Sequence, residues 1–202
     1  MTELAWGTLS SPVGPLAVGC TPAGVARLDF RAPGGAGRRE TAQASAGLSG
    51  TGQASTRPVR SGRAAQGQAG TGLLSAARDQ LAEYFAGQRR DFDLPLDWSG
   101  CSRAQHQVLS VLYDSVGYGE TVTYGDLAQR AVAGPDGISL PARAIGRIMG
   151  SNPLPLIVPC HRVVAGNGLG GYSGGTGIEI KRWLLIFEGA LPATLDWSPA
   201  GA

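Results

Sequence analysis

A nucleophile with a base beside it stands at residues 159–162, Pro159-Cys160-His161-Arg162. Cysteine attacks as a thiolate, and an ordinary thiol, with a pKa of about 8.5, is mostly protonated at neutral pH. His161 offers a base for that proton. Arg162 offers a positive field, and Pro159 fixes φ next to the nucleophile. Adjacency alone leaves a second reading open, a buried cysteine with a histidine beside it by chance. The other two cysteines, Cys20 and Cys101, have no such neighbours. Three cysteines, odd in number and widely spaced, make no disulfide framework and fit a reduced cytosolic setting. Only His106 and His161 accompany them, with no C-x-x-C or H-x-x-x-H pair, so no metal and no other cofactor is expected.

The elements that must hold this tetrapeptide follow from patterning. Leu156-Ile-Val158 reads as a small apolar strand running into Pro159. Upstream, residues 102–112 read as a helix through Val108, Leu109 and Leu112. Thr123 can cap a second helix whose Leu127, Ala128 and Ala131 pack. The Gly/Pro-rich stretch 134–137 interrupts, and residues 142–149 form a third helix with Ile145, Ile148 and Met149 inward. Two short helices around a turn are compatible with a helix-turn-helix, although the connection is long for one.

The first thirty residues read differently. Leu16, Val18 and Cys20 alternate with Ala17 and Gly19. After the turn at 21–24, Ala26, Leu28 and Phe30 alternate with Arg27 and Asp29, a hairpin signal. Cys20 then lies on the apolar face as a core thiol. Leu74, Ala77, Leu81, Tyr84 and Phe85 share one helix face, with Gly87 as a stop. Residues 31–72 hold almost no large apolar side chains and read as a disordered, solvated insertion. The fold class is α/β (α+β): an N-terminal sheet-and-helix domain over 1–98, a mostly helical C-terminal domain over 99–190, and a tail over 191–202.

Composition excludes more than it assigns. The chain has 202 residues, 43% of them apolar, and a net charge of +2. Near-neutral charge does not by itself mark a nucleic-acid binder, so any DNA contact must come from local placement. No apolar run approaches the roughly 18–20 residues of a membrane span, and the N-terminus carries no secretory pattern. A cytoplasmic location is the expectation.

The segment Ser151-Asn-Pro-Leu-Pro-Leu-Ile-Val-Pro-Cys-His-Arg-Val-Val164 resembles the active-site signature of the O6-alkylguanine-DNA alkyltransferase family. The resemblance extends to Gly119-Glu-Thr-Val-Thr-Tyr-Gly-Asp-Leu-Ala128, Ala142-Arg-Ala-Ile-Gly146, Gly171-Tyr-Ser-Gly-Gly175 and Lys181-Arg-Trp-Leu-Leu-Ile-Phe-Glu188. It covers about residues 73–190 and the first thirty. It implies DNA repair: a single, irreversible transfer of the alkyl group of O6-alkylguanine, and of O4-alkylthymine, onto Cys160 after the nucleotide flips out of the duplex. By the same resemblance His161 is the base, acting through a water, with Glu188 polarising it. Asn152 braces the turn carrying Cys160, and Tyr124 donates toward guanine N3. Arg143 fills the gap left by the flipped base. The loop bearing Tyr172, Ser173 and Gly174 meets the substrate, with the Ser173 N–H on O6, and the carbonyls of Cys160 and Val163 accept from the exocyclic amine. The implied partner is double-stranded DNA, bound by a bacterial monomer that is cytoplasmic and nucleoid-associated when on DNA, with cooperativity left to experiment.

Two departures from that family pattern stand out. Ala104-Gln105 replaces a Phe-Gln pair and Leu109 replaces an aromatic, both read as core changes, and residues 133–140 lengthen the connection between the two helices. Each residue also has a plainer reading. Arg143 and Arg147 could be a solvated helix face, Tyr124 core, Glu188 a surface helix end. Three rival functions differ in kind: a non-catalytic binder of alkylated DNA, which replaces the acceptor cysteine; a cysteine hydrolase, which needs an oxyanion hole; and a transcription regulator, which needs a partner domain.

Overall fold

The computed structural model describes residues 4–30, 64–134, 137 and 139–193. The N-terminal part is an antiparallel sheet, β1 (Ala5–Leu9), β2 (Leu16–Cys20) and β3 (Val25–Phe30), in that order. Leu9 pairs with Leu16 and Val18 with Leu28, so the hairpin expected around residues 21–24 forms. Burial departs from simple alternation, because all five residues of β2 are buried. A central strand is covered on both faces. The ring of Trp6 lies over Gly19, and Leu74 lies over Gly7, which pairs with Val18. The register shifts at Gly19/Cys20, where Ala26 on β3 is the extra residue of a bulge that brings Val25 inward. Gly24 is required where it stands: a Cβ there would lie 2.6 Å from the Pro95 carbonyl oxygen, where the 94–98 connector pairs with Val25.

Helix α1 (Ala64–Phe85) packs on this sheet with Ala77, Leu81 and Tyr84 fully buried. It starts nine residues before Leu73, so 64–72, read from sequence as part of the insertion, are helical; 31–63 lie outside the described residues. Alanine and glutamine are good helix formers, and extending a nucleated helix is far easier than starting one. Gly87, at φ +71°, ends it. The Gln88 N–H bonds the Glu83 carbonyl and the Gly87 N–H bonds that of Tyr84.

The C-terminal part is mostly helical. Helix α2 (Arg103–Ser115) opens with a capping box between Ser102 and Gln105 and buries Val108, Leu109 and Leu112. Leu109 is therefore core as read, but Ala104 is only half-buried. Strand β4 (Val122–Thr123) leads into α3 (Tyr124–Ala133), capped by the Thr123 side chain on the Asp126 N–H. Helix α4 (Ala142–Gly150) packs against α3 with Ile145, Ile148 and Met149 inward. β4 pairs in parallel with β5 (Val163–Val164), and α5 (Ile178–Phe187) closes the chain's described core. No described helix is long and apolar enough to cross a membrane.

The expected strand at 156–158 is absent. Those residues form a turn in which Leu156 takes φ +72°. A positive φ is strained for a branched side chain and persists only where the surroundings fix it. Asn152 supplies that: its amide donates to the Val158 carbonyl at 2.9 Å and its oxygen accepts the Leu154 N–H at 3.0 Å. The Val158 N–H closes the turn on the Leu154 carbonyl at 2.8 Å. Three prolines in this stretch remove ladder donors, so the apolar run cannot pair as a strand.

Candidate active site

Cys160 opens a 3₁₀ turn, Cys160–Arg162, delivered by this Asn152-bound loop and followed at once by β5. Cys160 lines a cavity of about 590 Å³ together with Tyr124, Arg143, Gly146, Tyr172 and Ser173. The thiol is 4% exposed. Burial pushes its pKa up; hydrogen bonding from Asn152, the Lys181 charge, its own backbone and Tyr172 pull the other way without cancelling the rise. The resting group is a thiol, so an attack by sulfur needs a base. Cys20 has burial without any such opposition and is raised to about 11. Cys101 is also raised by burial, with Asp97 adding to it. Of the three thiols, only Cys160 combines a cavity with groups that favour its anion.

The candidate base is the next residue in the chain. His161 is fully buried, and its Nε2 lies 2.9 Å from Glu188 Oε1. A carboxylate only accepts, so Nε2 carries the hydrogen and Nδ1 is left as the acceptor. Nδ1 is buried and has no hydrogen-bond partner among the described residues. Burial lowers the His161 pKa, against the pull of Glu188, which keeps the ring neutral and able to take a proton.

Glu188 sits at the C-terminal end of α5, where the helix dipole disfavours a negative charge. It is buried all the same, and donors surround it. Oε1 accepts from Tyr84 at 2.7 Å and Arg162 Nη2 at 3.0 Å as well as from His161. Oε2 accepts from Arg162 Nε at 2.8 Å and the Gly119 N–H at 3.4 Å. Burial would raise its pKa, but the hydrogen bonds and charges of His161 and Arg162 hold it well below the ordinary carboxylate range. A surface helix end is excluded by this burial. Arg162 also donates to the Val116 carbonyl at 2.8 Å, so its guanidinium is committed to Glu188 and the fold.

The remaining residues fall into two groups. Tyr124, the first residue of α3, donates its hydroxyl to the Gly171 carbonyl at 3.3 Å and faces the cavity. Gly170, at φ +69°, packs against that ring where a Cβ would come within 3.0 Å. Ser173 Oγ donates to the Gly150 carbonyl at 3.0 Å, tying the substrate-side loop to α4. The Tyr172 hydroxyl is buried beside the Cys160 thiol. Arg143 is exposed on α4, on the cavity wall, with no ion pair or hydrogen bond among the described residues. Val163 and Gly174 do not line the cavity. The Val163 carbonyl already accepts from Lys181 Nζ at 2.6 Å, and the Cys160 carbonyl accepts the Val163 N–H; each keeps a second lone pair. Gly174 packs under Tyr172 and Phe30.

Sequence reasoning passed over Lys181 and Tyr84 as site members, and read Arg162 as a positive field beside Cys160 where the structure makes it the partner of Glu188. Lys181, the only lysine, is fully buried, bonded to the Val163 and Gly171 carbonyls, and 5.8 Å from the Tyr124 ring. Burial lowers it to about 8, with the Cys160 charge opposing. A single lysine in an otherwise arginine-rich chain was the one available signal. No cluster of metal-ligating side chains occurs among the described residues.

A cysteine lining an open cavity, followed in the chain by a buried histidine bonded to a buried glutamate, on an α/β scaffold with two short helices at the cavity wall, marks the class of proteins with a candidate cysteine nucleophile. Comparison with known proteins narrows that class. Residues 103–190 match the profile of the 6-O-methylguanine DNA methyltransferase DNA-binding domain, and residues 4–98 that of its ribonuclease-like domain. The chain is 43% identical over 118 residues to the methylated-DNA–protein-cysteine methyltransferase of Mycobacterium tuberculosis, covering 58% of this chain and 66% of that protein, just under two thirds of its length. It is 42% identical over 124 residues to a DNA base-flipping protein of Thermus thermophilus, covering 59% and 76%. The fold superimposes on the crystal structure of Mycobacterium tuberculosis OGT in complex with DNA with a TM-score of 0.62, at 31% identity over 92% of both chains. The chain belongs to the 6-O-methylguanine DNA methyltransferase family.

Proposed function

We propose that this protein repairs DNA by moving the alkyl group of O6-alkylguanine to the sulfur of Cys160, once per molecule. The observation that carries this is Cys160 in the cavity lining, followed in the chain by a buried His161 whose Nε2 is committed to Glu188 and whose Nδ1 is free to accept. The thiol proton passes through a water toward Nδ1, and Glu188 stabilises the imidazolium that results. Sulfur takes the alkyl carbon in line, the O6–C bond breaks, and its electron pair returns to the base, which is protonated as it leaves. Tyr124, on the cavity wall, is the donor toward guanine N3. The Ser173 N–H meets O6, and the free lone pairs of the Cys160 and Val163 carbonyls receive the exocyclic amine. Tyr172 and Gly174 shape the loop beside it. Asn152 holds the strained turn that aims the sulfur.

The alkylated oxygen is out of reach inside a stacked duplex, so the nucleotide must leave the helix. Helices α3 and α4 serve as the helix-turn-helix, with Arg143, exposed and unpaired at the cavity mouth, filling the gap. The domain division is 1–98 and 99–190, and the protein acts as a monomer in the cytoplasm on double-stranded DNA. O4-alkylthymine is a second substrate of the same cavity.

The test is to incubate the protein with a duplex carrying O6-methylguanine and record intact and peptide mass spectra. One methyl-sized increase per molecule, on Cys160 and not on Cys20 or Cys101, is the expected result. Binding without a mass increase would leave a base-flipping protein in its place, and turnover beyond one equivalent would also overturn the reading.

A further inference from the structure

Tyr84 lies on α1, in the N-terminal part of the chain, yet its hydroxyl is bonded at 2.7 Å to Oε1 of Glu188, 104 residues away. The residue is fully buried. Its ring is held by Phe85, Phe92 and Phe187 at 5.1–5.5 Å and by Tyr118 at 6.2 Å. Packing alone would be served by phenylalanine; the hydroxyl is there for the carboxylate. The oxygen it reaches is the one His161 uses, at 2.9 Å. The other charged and titratable groups around this pair are Arg162 on the 3₁₀ turn, Lys181 on α5, Cys160, and Tyr118 with Arg90 stacked on it.

We infer that Tyr84 is a positioning residue for alkyl transfer, supplied by the N-terminal domain, whose hydroxyl shares Glu188 Oε1 with His161 and so limits how strongly the carboxylate draws on the imidazole. This rests on the reading of His161 as the base for Cys160. A donor on a carboxylate oxygen withdraws charge from it, and in a dry interior no water replaces a donor that is removed. With Tyr84 present, Glu188 orients His161 but holds the proton on it less tightly, leaving the ring able to hand that proton on. Burial, together with the hydrogen bond to Glu188, keeps the Tyr84 hydroxyl protonated and a donor throughout the working pH range.

The test uses the full chain and free O6-benzylguanine, following benzylation of Cys160 by mass against pH. Tyr84→Phe keeps the ring and removes only the donor. The acid limb of its rate profile moves to higher pH by about half a unit, so a rate read on that limb falls about threefold. Tyr113→Phe removes a half-buried hydroxyl that serves the Phe92 carbonyl instead of Glu188, and leaves the limb in place. In a Glu188→Gln background, Tyr84→Phe moves nothing further. Fluorotyrosine at position 84, a stronger donor, moves the limb to lower pH and decides the matter should Tyr84→Phe fail to fold. If the wild type benzylates Cys160 but the limb of Tyr84→Phe coincides with it, Tyr84 is a packing residue and this inference falls alone. If the wild type does not benzylate, the reading of Cys160 and His161 falls with it.

Discussion

Replacing Arg143 by alanine separates nucleotide extrusion from the chemistry on sulfur. The side chain is exposed on α4, makes no ion pair or hydrogen bond among the described residues, and stands at the mouth of the Cys160 cavity. Arginine and alanine are both good helix formers, so truncation removes nothing the fold depends on. Stability should stay within about 0.5 kcal/mol of wild type. Extruding a stacked base costs a few kcal/mol, and a side chain that occupies the hole offsets part of it. Taking that part as about 1.5–2 kcal/mol gives a roughly 10- to 30-fold slower repair of duplex O6-methylguanine. A free base needs no extrusion, so dealkylation of O6-benzylguanine should keep its wild-type rate. Single-turnover rates on both substrates, with a thermal melt as control, measure the difference. Equal slowing of the two would refute the reasoning, because Arg143 would then act on the cavity and not on the duplex.

Cys160→Ala should abolish transfer from both substrates while leaving duplex binding in place, read by gel shift and mass spectrometry. Glu188→Gln leaves the Arg162 guanidinium buried without its partner, at a cost of about 3–5 kcal/mol in urea unfolding at pH 7. Because the folded-state pKa of Glu188 is depressed, its contribution is full above the ordinary value of 4.5 and fades as pH falls toward the folded value, so wild type and variant should converge in acid. For Lys181, lowered to about 8 from 10.5, the unfolded chain holds a proton that the folded chain has released between those values. Wild-type stability should therefore rise with pH across that window relative to Lys181→Met, by on the order of 3 kcal/mol in matched denaturant titrations. Asn152→Ala frees two hydrogen bonds of the turn at Leu156 and should lose about 1–3 kcal/mol while slowing benzylation of Cys160, measured on the same samples.

Much of the scaffold was legible because local patterning decides it. The helix faces at Leu81 and Tyr84, at Leu127 and Ala131, and at Ile145 and Ile148 follow from periodicity, and Gly87 from its freedom at positive φ. The turn at 154–158 was not, because three apolar residues between prolines satisfy a strand pattern, and only the Asn152 side chain selects a turn instead. The start of α1 was missed for a similar reason: an Ala- and Gln-containing stretch without large apolar residues carries no periodicity, and extends a helix only once Leu74 and Ala77 anchor it.

The sequence by itself singled out the candidate nucleophile and its neighbour, since Pro159, Cys160, His161 and Arg162 are consecutive and their chemistry is written in their types. It could not determine which groups would surround them, because hydrogen-bond partners 26 to 104 residues apart are set by how helices pack and not by any local rule. Tertiary structure alone turned Arg162 from a field on the sulfur into the partner of Glu188, placed the lone lysine against the Val163 carbonyl, and brought a tyrosine of α1 onto the buried Glu188 carboxylate. The physical reason is burial: once Glu188 is out of water, every donor that can reach it must, and those donors come from whichever elements the core has brought within 3 Å.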